Sequence, residues 1–109
     1  MNPARGEVWL FDLGMVEKVR PVLVVSVRCT DQDRALVTVV PHTTALRGSQ
    51  YEIAVDVPFL KPGAFLVQSV ATYPHARTIR RLGVLKEAQF RVVFTGLLRL
   101  ANPVASAAR

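Results

Sequence analysis

Apolar and polar positions alternate through the first two thirds of the chain and switch to a helical period near its end. Glu7 to Leu13 reads as a strand, with Val8, Leu10 and Asp12 on one face and Trp9, Phe11 and Leu13 on the other. Gly14 opens a loop that runs to Val19. Val22 to Ser26 is apolar up to its last residue, as in a strand buried on both faces. Asp31-Gln32-Asp33-Arg34 is a polar turn, and Leu36 to Val40 is a valine-rich strand. Thr44 to Gln50 is a polar loop. Tyr51 to Val55 alternates again, with Tyr51, Ile53 and Val55 inward. Lys61-Pro62-Gly63-Ala64 has the form of a type II turn, which would put Gly63 at positive φ. Phe65 to Gln68, extendable to Val70, is the next strand. A loop rich in Thr, Pro and His follows, and then a short segment from Ile79 to Leu82.

From about Lys86 the period becomes that of a helix. Phe90, Val93, Phe94, Leu97, Leu98 and Ala101 fall on one face. Gly96 within it costs about 1 kcal/mol relative to alanine, which points to a close approach by another element. Asn102-Pro103 ends the helix. About five strands and one amphipathic helix predict a mainly β fold: a small, strongly curved antiparallel sheet or partly open barrel with the helix over one opening. Residues 1–101 are expected to form one domain, with 102–109 a frayed tail.

The 109 residues, half of them hydrophobic, suffice for one core. The single cysteine, Cys29, has no partner for an internal disulfide, which favours a reducing cytoplasm. The N-terminus lacks a signal-peptide apolar stretch, and no window reaches the roughly 18 apolar residues of a membrane helix. The net charge is +6. Residues 1–56 carry a net of −1 and residues 57–109 a net of +7. Such asymmetry favours a polyanionic partner, either nucleic acid or an acidic protein segment.

Candidate chemistry gathers at two strand ends. Arg20-Pro21 precedes the apolar run Val22-Leu23-Val24-Val25, and Val40-Pro41-His42-Thr43-Thr44 ends the following strand. A guanidinium fork beside a threonine hydroxyl suits a phosphate. His42 and His75 offer a rival acid–base pair, but if Thr43 faces the groove, alternation turns His42 away from it. Tyr73, Arg77, Arg80 and Arg81 make a basic stretch with an aromatic, suited to backbone contact and base stacking. The two histidines and Cys29 lack metal-ligand spacing, and Cys29 reads as an inert thiol. There is no glycine-rich phosphate loop.

In order along the chain, Arg5-Gly6-Glu7-Val8-Trp9, Arg20-Pro21-Val22-Leu23-Val24-Val25-Ser26, Val40-Pro41-His42-Thr43-Thr44, Val67-Gln68-Ser69-Val70, Arg81-Leu82-Gly83 and the closing helix resemble the MazF/PemK toxins. The resemblance implies an SH3-like or PemK-like, CcdB-like curved β-barrel that works as a homodimer. It implies a type II toxin that cleaves single-stranded RNA sequence-specifically without metal or other cofactor, leaving 2′,3′-cyclic phosphate and 5′-hydroxyl ends. The implied partners are that RNA and a cognate acidic antitoxin. Arg20 and Thr43 match the family's catalytic positions. Glu17, Lys18, Thr44, Gln68, Arg77, Arg80 and Arg81 are the expected RNA contacts. The loop before Arg20 is shorter than the family's usual one, and His42 stands where a small or apolar residue is expected. CcdB-like gyrase poisons share the fold and lack nuclease activity; they and a non-catalytic binding relative are the alternatives.

Overall fold

The structure is a computed structural model that describes residues 2–14 and 18–102. Glu17 and all but the first residue of the expected tail lie outside the described residues. Seven strands and one helix follow in order: β1 Glu7–Asp12, β2 Val19–Val24, β3 Leu36–Thr43, β4 Glu52–Ile53, β5 Ala64–Leu66, β6 Ala71–Pro74, β7 Thr78–Val84 and α1 Glu87–Ala101. One-turn 3₁₀ segments, Val67–Ser69 and His75–Arg77, flank β6.

Every strand pairing is antiparallel, in the order β4-β5-β3-β2-β1-β7, with β6 also on β3. The long β3 strand is the hub. Its first half, Leu36 to Val39, pairs with β6; Val39 to Pro41 pairs with β2; His42 and Thr43 pair with β5. One strand shared by three partners bends the sheet strongly, and the path stays open between β4 and β7.

The alternation read in β1 divides the interior in two. Val8 joins Leu23, Val40, Phe65, Val67 and Val93 beneath the helix. Trp9, Phe11 and Leu13 join Val22, Val24, Val37 and Val39 on the other face. Each fully buried Val, Leu or Phe contributes about 1.5–3 kcal/mol of transfer free energy. Helix α1 starts with Lys86 N–H donating to Gln89 Oε1 at 2.9 Å. Gln89 Nε2 in turn donates to Asp56 O at 2.7 Å, tying the helix start to the preceding loop.

Several expectations change in detail. The segment after Gln68 is not a plain loop, because Ala71–Pro74 finds the free edge of β3. The strand expected from Tyr51 to Val55 narrows to two residues, although Tyr51, Ile53 and Val55 do pack inward. The buried stripe of α1 is rotated from the expected one: Gly96 is buried and Leu100 packs on the core, while Leu98 is 51% exposed. Gly96 does mark a close approach, since a Cβ there would lie 2.7 Å from Ile53 Cδ1. Gly63 does not take positive φ, as Gly6, Gly14 and Gly48 do. It is required because a Cβ would run into the Thr43 carbonyl and come within 2.8 Å of His42 Cε1.

Candidate nucleic-acid interface

Pairing sets which side chains share a face. Leu10 lies opposite both Pro21 and Arg80. Val22 lies opposite Pro41. Cross-strand partners point the same way and neighbours along a strand point opposite ways. Pro21 and His42 therefore share one side of the β2–β3 pair, and Arg20 and Thr43 the other.

The first side floors a cleft of about 360 Å³. Leu10, Pro21, His42, Arg80 and Leu82 form its floor, and Phe59, Leu60 and Lys61 close it from the loop before β5. Arg20 and Thr44 enter from the strand ends. Arg20, Lys61 and Arg80 give the lining three cations, and among the described residues it contains no carboxylate. Positive potential in a groove with low-dielectric walls concentrates an anionic ligand.

His42 is 5% exposed and packs edge-on against Phe65, with ring centroids 5.0 Å apart. Burial lowers its pKa from the ordinary 6.5, so the ring is neutral at pH 7. No buried side-chain nitrogen or oxygen among the described residues lacks a partner, and none of the described residues hydrogen-bonds the His42 ring. Its polar edge therefore meets solvent in the cleft. His75 is elsewhere: its Nε2 lies 3.1 Å from Leu36 O and 3.8 Å from Cys29 Sγ. The two histidines cannot act as a pair; alternation does put His42 and Thr43 on opposite sides of β3, and His42 is the one that lines this cleft.

The remaining expected contacts divide. Thr44 and Arg80 line the cleft with Arg20. Thr43 is buried, and its Oγ1 accepts from Ala45 N–H at 3.1 Å, which leaves the hydroxyl proton available on the side it shares with Arg20. Lys18 is exposed at the entry to β2, at φ 60°. It closes a turn in which its N–H donates to Gly14 O at 2.6 Å and its O accepts from Leu13 N–H at 2.8 Å. Arg77 supports the base of the β1–β2 loop, donating to Asp12 O at 3.2 Å and lying 5.8 Å from the Tyr73 ring centroid. Arg81 is bound to Glu7 Oε2 at 2.9 Å. Gln68 is exposed on the 3₁₀ turn after β5, outside the lining.

Sequence reasoning missed Phe59 and Lys61, which sit in a proline-bounded loop with no periodicity. The available signal was a large aromatic outside any strand pattern with a lysine two residues on.

A larger cleft of about 530 Å³ lies between β7 and α1, lined in part by Arg5, Phe90, Phe94, Glu87 and Arg91. Its lining includes the carboxylate of Glu87. Arg5 lies 4.6 and 4.7 Å from the Phe90 and Phe94 ring centroids. Arg91 pairs with Glu87 at 2.9 Å. The smaller cleft is the better candidate for a polyanion. Among the described residues no cluster of His, Cys, Asp and Glu could hold a metal ion, and no helix is long and apolar enough to cross a membrane.

A family model described as the PemK-like, MazF-like toxin of type II toxin–antitoxin systems matches residues 4–100. The chain belongs to this family. It is 32% identical over 98 residues to a protein named probable endoribonuclease MazF5 of Mycobacterium tuberculosis, covering 87% of this chain and 89% of the relative. It is also similar to a mycobacterial endoribonuclease solved in complex with its cognate antitoxin, at TM-score 0.78 and 26% identity, covering 93% of this chain and 97% of that one. The Mycobacterium tuberculosis toxin MazF-mt6 aligns at TM-score 0.73 and 26% identity, covering 88% and 96% of the two chains.

Proposed function

We propose that this chain is the toxin of a type II pair and cleaves single-stranded RNA by internal transesterification. The observation that carries the reading is the cleft that Arg20, Lys61 and Arg80 line together. Family membership and the endoribonuclease names of similar proteins support it.

The 2′-oxygen attacks the adjacent phosphorus as it loses its proton. The new P–O2′ bond closes the cyclic phosphate, and the P–O5′ bond breaks. Arg20 presents a planar fork to the equatorial oxygens and stabilises the pentacovalent charge. Thr44, which lines the cleft beside Arg20, donates to a phosphate oxygen; Thr43, buried on the opposite side, positions it by accepting from Ala45 N–H across Thr44. A guanidinium is a poor proton acceptor. Neutral His42 is the cleft group suited to take the 2′-proton. Water protonates the departing 5′-oxygen, and the imidazolium returns its proton to water. Glu17, Lys18, Gln68 and Arg77 lie outside the lining or beyond description, and we assign them at most flanking RNA contacts.

The same cation-lined groove suits an acidic antitoxin segment, and a homodimer completes the reading. The gyrase-poison alternative gives the cleft no task.

The test is incubation of purified protein with a long mixed-sequence RNA in EDTA, with end analysis and Arg20→Ala as control. Fragments with 5′-hydroxyl ends, absent for the variant, are expected. Intact RNA with folded protein overturns the reading.

A further inference from the structure

We propose that Phe59 is a stacking platform for one base of the bound single strand, a role that rests on the RNA reading of the same cleft. Phe59 is 39% exposed, although it is one of the larger hydrophobic side chains in the protein. It borders the cleft beside Arg20, Lys61 and Arg80. Its ring is held rather than loose: a Cβ on Gly83 would come within 2.6 Å of Phe59 Cε1 and 2.7 Å of Cζ, so the bare glycine backbone is what seats it. One edge of the ring is thus fixed on β7 while the rest of its surface remains open.

An exposed aromatic among cations matches what a single strand requires. The cations take the phosphates, and the ring takes the face of an unstacked base. An acidic peptide would use the same cations but has no general need of an open ring, so a nucleobase is the better occupant. Stacking is tolerant of sequence, and the platform is expected to add affinity at one position without specifying the base.

The test uses the wild-type protein and single-stranded RNAs of mixed sequence, made uncleavable by 2′-deoxy substitution, with 2-aminopurine at successive positions. Stacking on Phe59 should quench the probe at one position. Adding Phe59→Ala should abolish that quench and weaken binding about 5- to 150-fold, with thermal unfolding unchanged. Phe59→Tyr should keep both. Gly83→Ala should displace the ring and lose the quench.

If Phe59→Ala binds and quenches like its parent, the platform is wrong, whether or not the wild-type protein cleaves RNA. If Phe59→Ala weakens only an acidic peptide, the surface belongs to a protein partner and the platform is again wrong. Position-specific quenching without any cleavage by the wild type would uphold the platform and overturn the nuclease reading. No RNA binding at all overturns both.

Discussion

The Arg81 guanidinium donates to Glu7 Oε2 at 2.9 Å, while Trp9 Nε1 donates to the other oxygen of the same carboxylate at 3.1 Å. Arg80, one residue earlier, lines the cleft instead. Adjacent arginines on one strand therefore have opposite tasks. Arg81→Ala should cost about 0.5–1 kcal/mol, since its guanidinium is half exposed and screened, and should leave RNA affinity nearly unchanged. Arg80→Ala should spare stability, weaken RNA binding and lower the salt slope by about 0.7. Denaturant titration and binding across a salt series separate the two.

Glu7 gives the first pH dependence. Burial works against its charged form, but the bonds from Ala4 N–H and Trp9 Nε1 and the charge of Arg81 outweigh it, so the folded pKa lies below the ordinary 4.5. A lowered carboxylate pKa stabilises the fold above the unfolded value, and that contribution disappears as pH falls through the folded one. Trp9, the sole tryptophan, reports the loss. Its fluorescence should change below pH 4.5, and in Arg81→Ala the change should begin at higher pH.

Arg20→Ala is expected to lower kcat by about 10²–10³-fold, the usual cost of losing one transition-state donor, with little change in melting temperature. Arg20→Lys should recover binding better than turnover, because an ammonium cannot offer the planar fork. Single-turnover cleavage beside equilibrium binding checks both. Turnover undiminished in Arg20→Ala would remove Arg20 from the chemistry.

Local patterns carried the fold a long way. The alternation in β1 announced both interiors, and the helical period located α1 to within a residue of its start. Pairing between distant segments is not written locally. Ala71–Pro74 is a strand because β3 offers it an edge, and its own composition looks like a loop. Of the residues singled out in the sequence, Arg20 and Thr44 at strand ends and Arg80 within β7 line the candidate cleft. The site was illegible in the Phe59–Lys61 loop, whose place over the cleft depends on Gly83 and on contacts no periodicity encodes. Alternation separated His42 from Thr43, but which of the two faces the cleft depends on the curl of the whole sheet.

Gly63→Ala should be costly although its φ is ordinary. The added methyl meets the Thr43 carbonyl and His42 Cε1. Neither can retreat, because His42 is packed on Phe65 and Thr43 is paired with Ala64. Overpacking of this kind costs about 1–3 kcal/mol. Cleavage should fall further than stability predicts, since His42 lines the proposed site and Thr43 leads directly into Thr44, which also lines it. Unfolding curves and initial rates on the same preparation compare the two losses.

His42 should give stability and activity a shared acid limb. Burial disfavours its imidazolium, so its folded pKa lies below the ordinary 6.5. Arg20 from β2, Lys61 from the loop before β5 and Arg80 from β7 are the charged groups that line the same cleft among the described residues; Phe65 from β5 is neutral. The unfolded chain binds the proton more readily, so stability falls as pH drops below 6.5 and levels off below the folded pKa. Above pH 6.5 the penalty is absent. If neutral His42 accepts the 2′-proton, kcat/KM should hold down to pH 6.5 and then fall about tenfold per pH unit below the folded value. His42→Asn removes the titrating group while keeping a polar side chain. It should lower kcat by about 10²–10⁴-fold and flatten the acid limb of both profiles. A variant that keeps full turnover and the same acid limb would show that another group takes the proton, and would leave His42 as packing for Phe65.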